Sequence, residues 1–133
     1  MPPYTQDMNK VEKWGEVFPE GWYHFRLEKF EDRESKESPG ERVIWLWFKC
    51  QEEPLVGRTY VDNTSLQPQA LAKLKAFYEK AGYLPGPEGH DPQVIVDMHA
   101  EYYLLVVHDK YKGETRSKTP PWGIRSLQEG KPV

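Results

Sequence analysis

Arg42-Val43-Ile44-Trp45-Leu46-Trp47-Phe48-Lys49-Cys50 is the stretch that decides the fold. It is dense in β-branched and aromatic residues and reads as a strand over residues 42–51. Successive side chains on a strand point to opposite faces, so Ile44, Leu46, Phe48 and Cys50 share one side. Val43, Trp45, Trp47 and Lys49 share the other. The first set is sufficient to line a core, which leaves two indoles on the far side of the same strand.

The flanking segments extend this pattern. Phe18-Pro19-Glu20-Gly21 is a turn signature, and residues 22–31 alternate behind it, with Tyr23, Phe25 and Leu27 on one face. Trp22, His24, Arg26 and Glu28 take the other face. The charged, breaker-rich residues 32–41 read as a long solvated hairpin loop. A third strand is expected over residues 57–63, with Arg58 and Tyr60 on the outer, non-core face and Thr59 and Val61 opposite. The period then changes: Ala70, Leu71, Leu74, Phe77, Tyr78 and Ala81 recur at three- and four-residue spacing. That spacing predicts an amphipathic helix, with Pro68 in its first turn and Gly82 in the left-handed position after its last. Residues 84–92 read as a loop, 98–108 as a fourth strand and 111–119 as a fifth, with Pro120-Pro121 ending regular structure.

The resulting order is β-β-β-α-β-β. Such a mainly β chain with one helix between strands 3 and 4 is laid out as a five-stranded oligonucleotide/oligosaccharide-binding (OB) barrel. An SH3-like barrel or a small α+β roll has a similar string of elements. Residues 1–20 are expected to form an N-terminal arm, 21–126 the domain and 127–133 a C-terminal tail.

At 133 residues the chain is sized for one domain. No apolar run approaches the ~20 residues of a membrane-spanning helix. With Cys50 alone, neither an intramolecular disulfide nor a thiolate metal cluster can be built. The first residues lack the pattern of a signal peptide, so a reducing cytoplasm is the expected setting.

Enzyme signatures are missing. The four histidines form no metal-binding pattern, and His99-Ala100-Glu101 lacks the Pro-Cys-x-x-Cys half of a zinc deaminase. No phosphate-binding glycine loop or Gly-x-Ser-x-Gly elbow occurs, and Glu52-Glu53 sits at a turn. Neither an enzyme nor a cofactor is expected.

Flat aromatic surface beside a cation suits a splayed nucleic-acid base. Stacking is worth about 1–3 kcal/mol per base and is tolerant of sequence. Trp45 and Trp47 are therefore the expected platform, with Arg26, Lys49, Arg58 and Tyr60 flanking it. The competing reading buries the two indoles under the arm, the helix, a homo-oligomer partner or another protein.

Charge is unevenly distributed. The net value is -3. Residues 1–53 hold 8 basic and 12 acidic side chains, 54–107 hold 4 and 6, and 108–133 hold 6 and 3. The positive excess lies on the last hairpin, where Lys110, Tyr111, Lys112, Arg116 and Lys118 interleave cations with an aromatic. This suits a groove that tracks a phosphate backbone. A solvated edge hairpin that uses lysine against aggregation is the plainer reading.

Several motifs resemble a family of small phage-encoded proteins, long classed as a domain of unknown function and similar to phage single-stranded DNA-binding proteins. Phe18-Pro19-Glu20-Gly21-Trp22-Tyr23 looks like the family's lead into strand one. Glu31 with Ser35-Lys36 resembles its hairpin, and the resemblance continues through Gly57-Arg58, Asn63, Leu66, Pro68 and the helix carrying Leu71, Leu74 and Phe77. His108-Asp109-Lys110-Tyr111-Lys112-Gly113 is similar to its last turn. The likeness covers residues 18–119. It implies an OB-type fold that coats single-stranded DNA in phage replication or recombination, in the cytoplasm of an infected bacterial host. Replication or recombination proteins are the further partners implied. Trp45 and Trp47 have no counterpart in the family pattern, and Gln128-Glu129-Gly130-Lys131-Pro132-Val133 lacks the acidic tip with which bacterial proteins of like function recruit partners.

Overall fold

In a computed structural model of the chain, residues 17–35, 40–111 and 113–132 are described. The expected arm lies almost wholly outside them, as do Lys112 and the side chain of Tyr111. The elements run β1 (Gly21–Glu34), β2 (Arg42–Cys50), β3 (Thr59–Ser65), α1 (Leu71–Ala81), α2 (Pro92–Asp97), β4 (Glu101–Tyr111), β5 (Glu114–Lys118) and β6 (Ile124–Ser126). All strand pairs are antiparallel, in the order β3-β2-β1-β4-β5, and β6 also pairs with β4. The molecule is mainly β, an open six-stranded sheet with two helices. Among the described residues no backbone ladder joins β3 to β5.

The core follows the alternation of β2. Ile44, Leu46, Phe48 and Cys50 are buried, as are Phe25 and Leu27 on β1 and Tyr102, Leu104 and Val106 on β4. Phe48 is the hub, its ring centroid 5.6 Å from Phe77 and 6.1 Å from both Phe25 and Tyr60. Each such aromatic pair adds about 0.5–1.5 kcal/mol beyond its area, so truncating Phe48 to Ala would cost about 3–5 kcal/mol. Phe18 closes one end of the core, 5.3 Å from Phe25 and 5.5 Å from Tyr60.

α1 forms where the spacing places it, burying Leu74, Phe77 and Tyr78. Gly82 takes φ 85°, a left-handed conformation that glycine adopts without strain, and ends the helix. α2 and β6 correct the expected order. Asp91 caps α2 by accepting from the Gln93 amide at 2.9 Å, and Pro92 fills its first turn. The loop expected over 84–92 thus runs into a helix, and the fourth strand starts later, at Glu101. Pairing with β4 draws residues 124–126 into the sheet beyond Pro120-Pro121.

β1 holds the one departure that matters for the surface. Leu27 pairs with Phe48 but Lys29 pairs with Trp47, so Glu28 is one residue extra, a β-bulge. Strict alternation would have turned Phe30 to solvent. The bulge returns it to the core side and sends Lys29, Glu31 and Arg33 to the face that carries the tryptophans.

Candidate functional site

The outer face of β1, β2 and β3 is assembled by register. Trp45 lies between Glu31 and Asn63, Trp47 between Lys29 and Val61, and Lys49 between Arg26 and Thr59. Both indoles are half-buried. The Lys29 ammonium stands 4.5 Å from the centroid of the Trp47 ring. The Arg33 guanidinium bridges the two indoles, 5.7 Å from Trp45 and 5.5 Å from Trp47. At a partly exposed site each such cation–π contact contributes about 0.5–1 kcal/mol.

Glu31 stands between these cations, accepting from Arg33 Nε at 2.7 Å and lying 3.7 Å from the Lys29 ammonium. One carboxylate against two cations leaves the surface around the indoles positive. Further down the face Arg26 makes a forked contact to Glu28, at 3.1 and 2.9 Å. The exposed Lys49 ammonium has no ion-pair partner among the described residues. The arrangement offers two ring faces beside cations held only by exposed pairs. Surface pairs of that kind are worth at most about 1 kcal/mol, so they exchange readily for a phosphate.

Trp45, Trp47, Arg26 and Lys49 therefore share one surface. Tyr60 does not, which corrects the expected face of β3. It pairs with Phe48, is 1% exposed, and its hydroxyl lies 2.7 Å from Thr119 Oγ1. Burial pushes its phenol far above the ordinary value. Thr59 and Val61 take the outer face instead. Arg58 is displaced too: it precedes β3 and covers the buried Phe18 ring at 5.3 Å.

The basic hairpin lies elsewhere. β4 runs antiparallel to β1 and pairs Val106 with Gly21, the first residue of β1. Residues 107–111 and β5 therefore project from the end of β1 opposite the 35–41 loop, away from Trp45. Within the hairpin the Lys118 ammonium lies 2.8 Å from Asp109, and that hydrogen bond holds the Asp109 carboxyl below its usual range.

Lys29 and Arg33 are the residues that sequence reasoning missed. Their signal was present: Leu27 and Phe30 are both apolar but three apart, a spacing that needs one extra residue if both are to face the core. No group of three His, Cys, Asp or Glu side chains suited to a metal ion occurs among the described residues. No helix among them is long and apolar enough to cross a membrane. No model of a known protein family matches the chain, and no curated protein is found similar to it in sequence.

Proposed function

We propose that the chain binds and coats single-stranded DNA without strong sequence preference, stacking bases on Trp45 and Trp47 and holding phosphates with Lys29, Arg33, Arg26 and Lys49. The observation that carries this reading is the pair of indoles on the solvent side of β2 with cations lying over both rings. Every base has a π-face, and the cations move little to meet a backbone that passes the rings. Catalysis has no part in the proposal.

An OB-like barrel is the finer fold we propose. The helix α1 between β3 and β4 supports it, as does the approach of the β5 end to β3 through Tyr60 and Thr119. The phage setting, the host cytoplasm and the replication or recombination partners rest on the family resemblance alone.

Titration with oligo-dT tests the proposal. Tryptophan emission should quench on binding, and Trp45→Ala with Trp47→Ala should weaken binding at least tenfold, about one base's stacking. Unchanged affinity in a folded double variant would overturn it. A concentration-dependent emission change without DNA would point instead to a dimer or partner interface on the same face.

A further inference from the structure

The Glu31 carboxylate reaches both cations that stand over the tryptophans, with one oxygen turned to each. Oε2 accepts from Arg33 Nε at 2.7 Å and also from Nη2 of the same guanidinium. Oε1 lies 3.7 Å from the Lys29 ammonium. Register explains the grouping. Lys29, Glu31 and Arg33 alternate on β1 after the bulge, so all three share the outer face, opposite Trp47, Trp45 and Val43. The guanidinium that Glu31 holds is 5.7 Å from the Trp45 ring and 5.5 Å from the Trp47 ring, so this carboxylate serves both indoles.

Two oxygens on one atom, sharing one negative charge, are also what a phosphodiester presents. Its two non-bridging oxygens suit the same partners: a guanidinium that donates through a fork and an ammonium that acts as a point charge. In such an exchange both cations keep their places over the rings and the carboxylate leaves. All three side chains are more than a third exposed, and pairs so exposed are weakly held.

We infer that Glu31 occupies the seat of the phosphodiester that links two bases stacked on Trp45 and Trp47, and competes with it. The unit recognised by this face is then a dinucleotide step, with one base per indole and one phosphate across Lys29 and Arg33. The indoles repeat at about 6.6 Å along β2, whereas successive bases in a duplex rise about 3.4 Å. The step must be drawn out, which a free strand permits and a duplex resists. This rests on the single-stranded DNA reading above and adds to it the position of one phosphate and a brake on affinity. When the strand departs, Glu31 returns and keeps the two cations from repelling each other.

Varying the carboxylate and the linkage together tests the seat. The ligands are oligo-dT of about 8 nucleotides and the same oligomer with methylphosphonate linkages, which keep the bases and the length but carry no charge. Glu31→Gln keeps the shape of the side chain and removes its charge. It should tighten binding of the charged oligomer about three- to fivefold at low salt, near the limit for one exposed ion pair. Its affinity for the uncharged oligomer should stay within about twofold of wild type, since nothing there displaces the carboxylate. Asp32 is the next residue but pairs with Ile44 on the other face of β1. Asp32→Asn makes the same change in net charge away from the rings, and should give less than about half the gain.

If Trp45→Ala with Trp47→Ala weakens oligo-dT binding while Glu31→Gln binds the charged oligomer no more tightly than wild type, the seat is overturned and the stacking platform survives. Equal tightening of both oligomers overturns the seat as well, as does an equal gain in Asp32→Asn, because neither owes anything to an exchange at that place. A wild-type protein that binds neither oligomer overturns the DNA-binding reading and the seat with it.

Discussion

Lys29 stands directly across from Trp47, its ammonium 4.5 Å from the centre of the indole ring. The pairing exists because Glu28 is an extra residue on β1. Strict alternation of the same residues, with no bulge, would turn Lys29, Glu31 and Arg33 inward and Phe30 outward. The bulge thus supplies both the cations over the indoles and the closure of the core beneath them. An alternating strand could not supply both from this sequence.

If Lys29 and Arg33 meet phosphates, each should contribute about 0.7 to the slope of log affinity against log salt for a single strand. Lys29→Gln with Arg33→Gln is expected to flatten that slope by about 1.4 in total and to weaken oligo-dT binding most at low salt. The double variant also gives up the three cation–π contacts, so its stability in urea is expected to fall by about 1–3 kcal/mol, and the slope is measured where it is still folded. A slope unchanged in the double variant would limit the two cations to covering the indoles.

Tyr60→Phe should lower stability alone. The phenol is buried and its hydroxyl is 2.7 Å from Thr119 Oγ1. Removing it leaves the Thr119 hydroxyl buried without that partner, at a cost of about 1–3 kcal/mol in urea unfolding. Affinity for oligo-dT is expected to stay at the wild-type value. Weaker binding at undiminished stability would return Tyr60 to the interface.

How much of this was readable beforehand depends on whether a residue's partner lies on its own element. The two faces of β2 follow from alternation within one strand, and α1 follows from its spacing and Gly82. Tyr60 was misassigned because β3 alone does not say which face is inner; its pairing with Phe48 does. The same holds for the hairpin, whose distance from Trp45 is set by Gly21 pairing with Val106. α2 has only six residues, too few for a helical period, and its one local signal was Asp91-Pro92. The bulge at Glu28 was signalled by Leu27 and Phe30 but looks like noise until register gives it meaning.

Asp109 makes a separate test of the hairpin. Its carboxyl is held below the usual aspartate range chiefly by the hydrogen bond from Lys118, so the pair stays intact well into acid. Asp109→Asn removes that competitor and frees the ammonium for phosphate. Binding of long oligo-dT is expected to tighten at low salt, with a slope steeper by about 0.7. Because the pair is exposed, the urea midpoint should stay nearly constant. Unaltered binding would leave the hairpin as a charged sheet edge without a share in the interface.

Asp62 and Lys73 yield the prediction with the clearest sign. The Asp62 side chain is 3% exposed, and the Lys73 ammonium lies 2.7 Å from it and donates to the Asn63 carbonyl at 3.0 Å. Burial raises the carboxyl above its ordinary value, and Lys73 is the main influence pulling it back down. The native state therefore holds this proton more tightly than the unfolded chain does. Between the ordinary aspartate pKa and the raised native one, the Asp62 contribution to stability falls as pH rises. Lys73→Met removes the opposing cation, so the native pKa climbs further and the fall becomes steeper. At neutral pH the variant should lose about 3–5 kcal/mol, the usual penalty for stranding one buried charge. Toward pH ~4 the deficit should shrink, because Asp62 is then protonated in the folded variant. Adding Asp62→Asn should restore most of the neutral-pH stability and remove the pH dependence of the loss. Urea unfolding of the three proteins at both pH values decides it: a deficit that is the same at each pH would mean that Lys73 acts through packing and its bond to Asn63, not through the charge on Asp62.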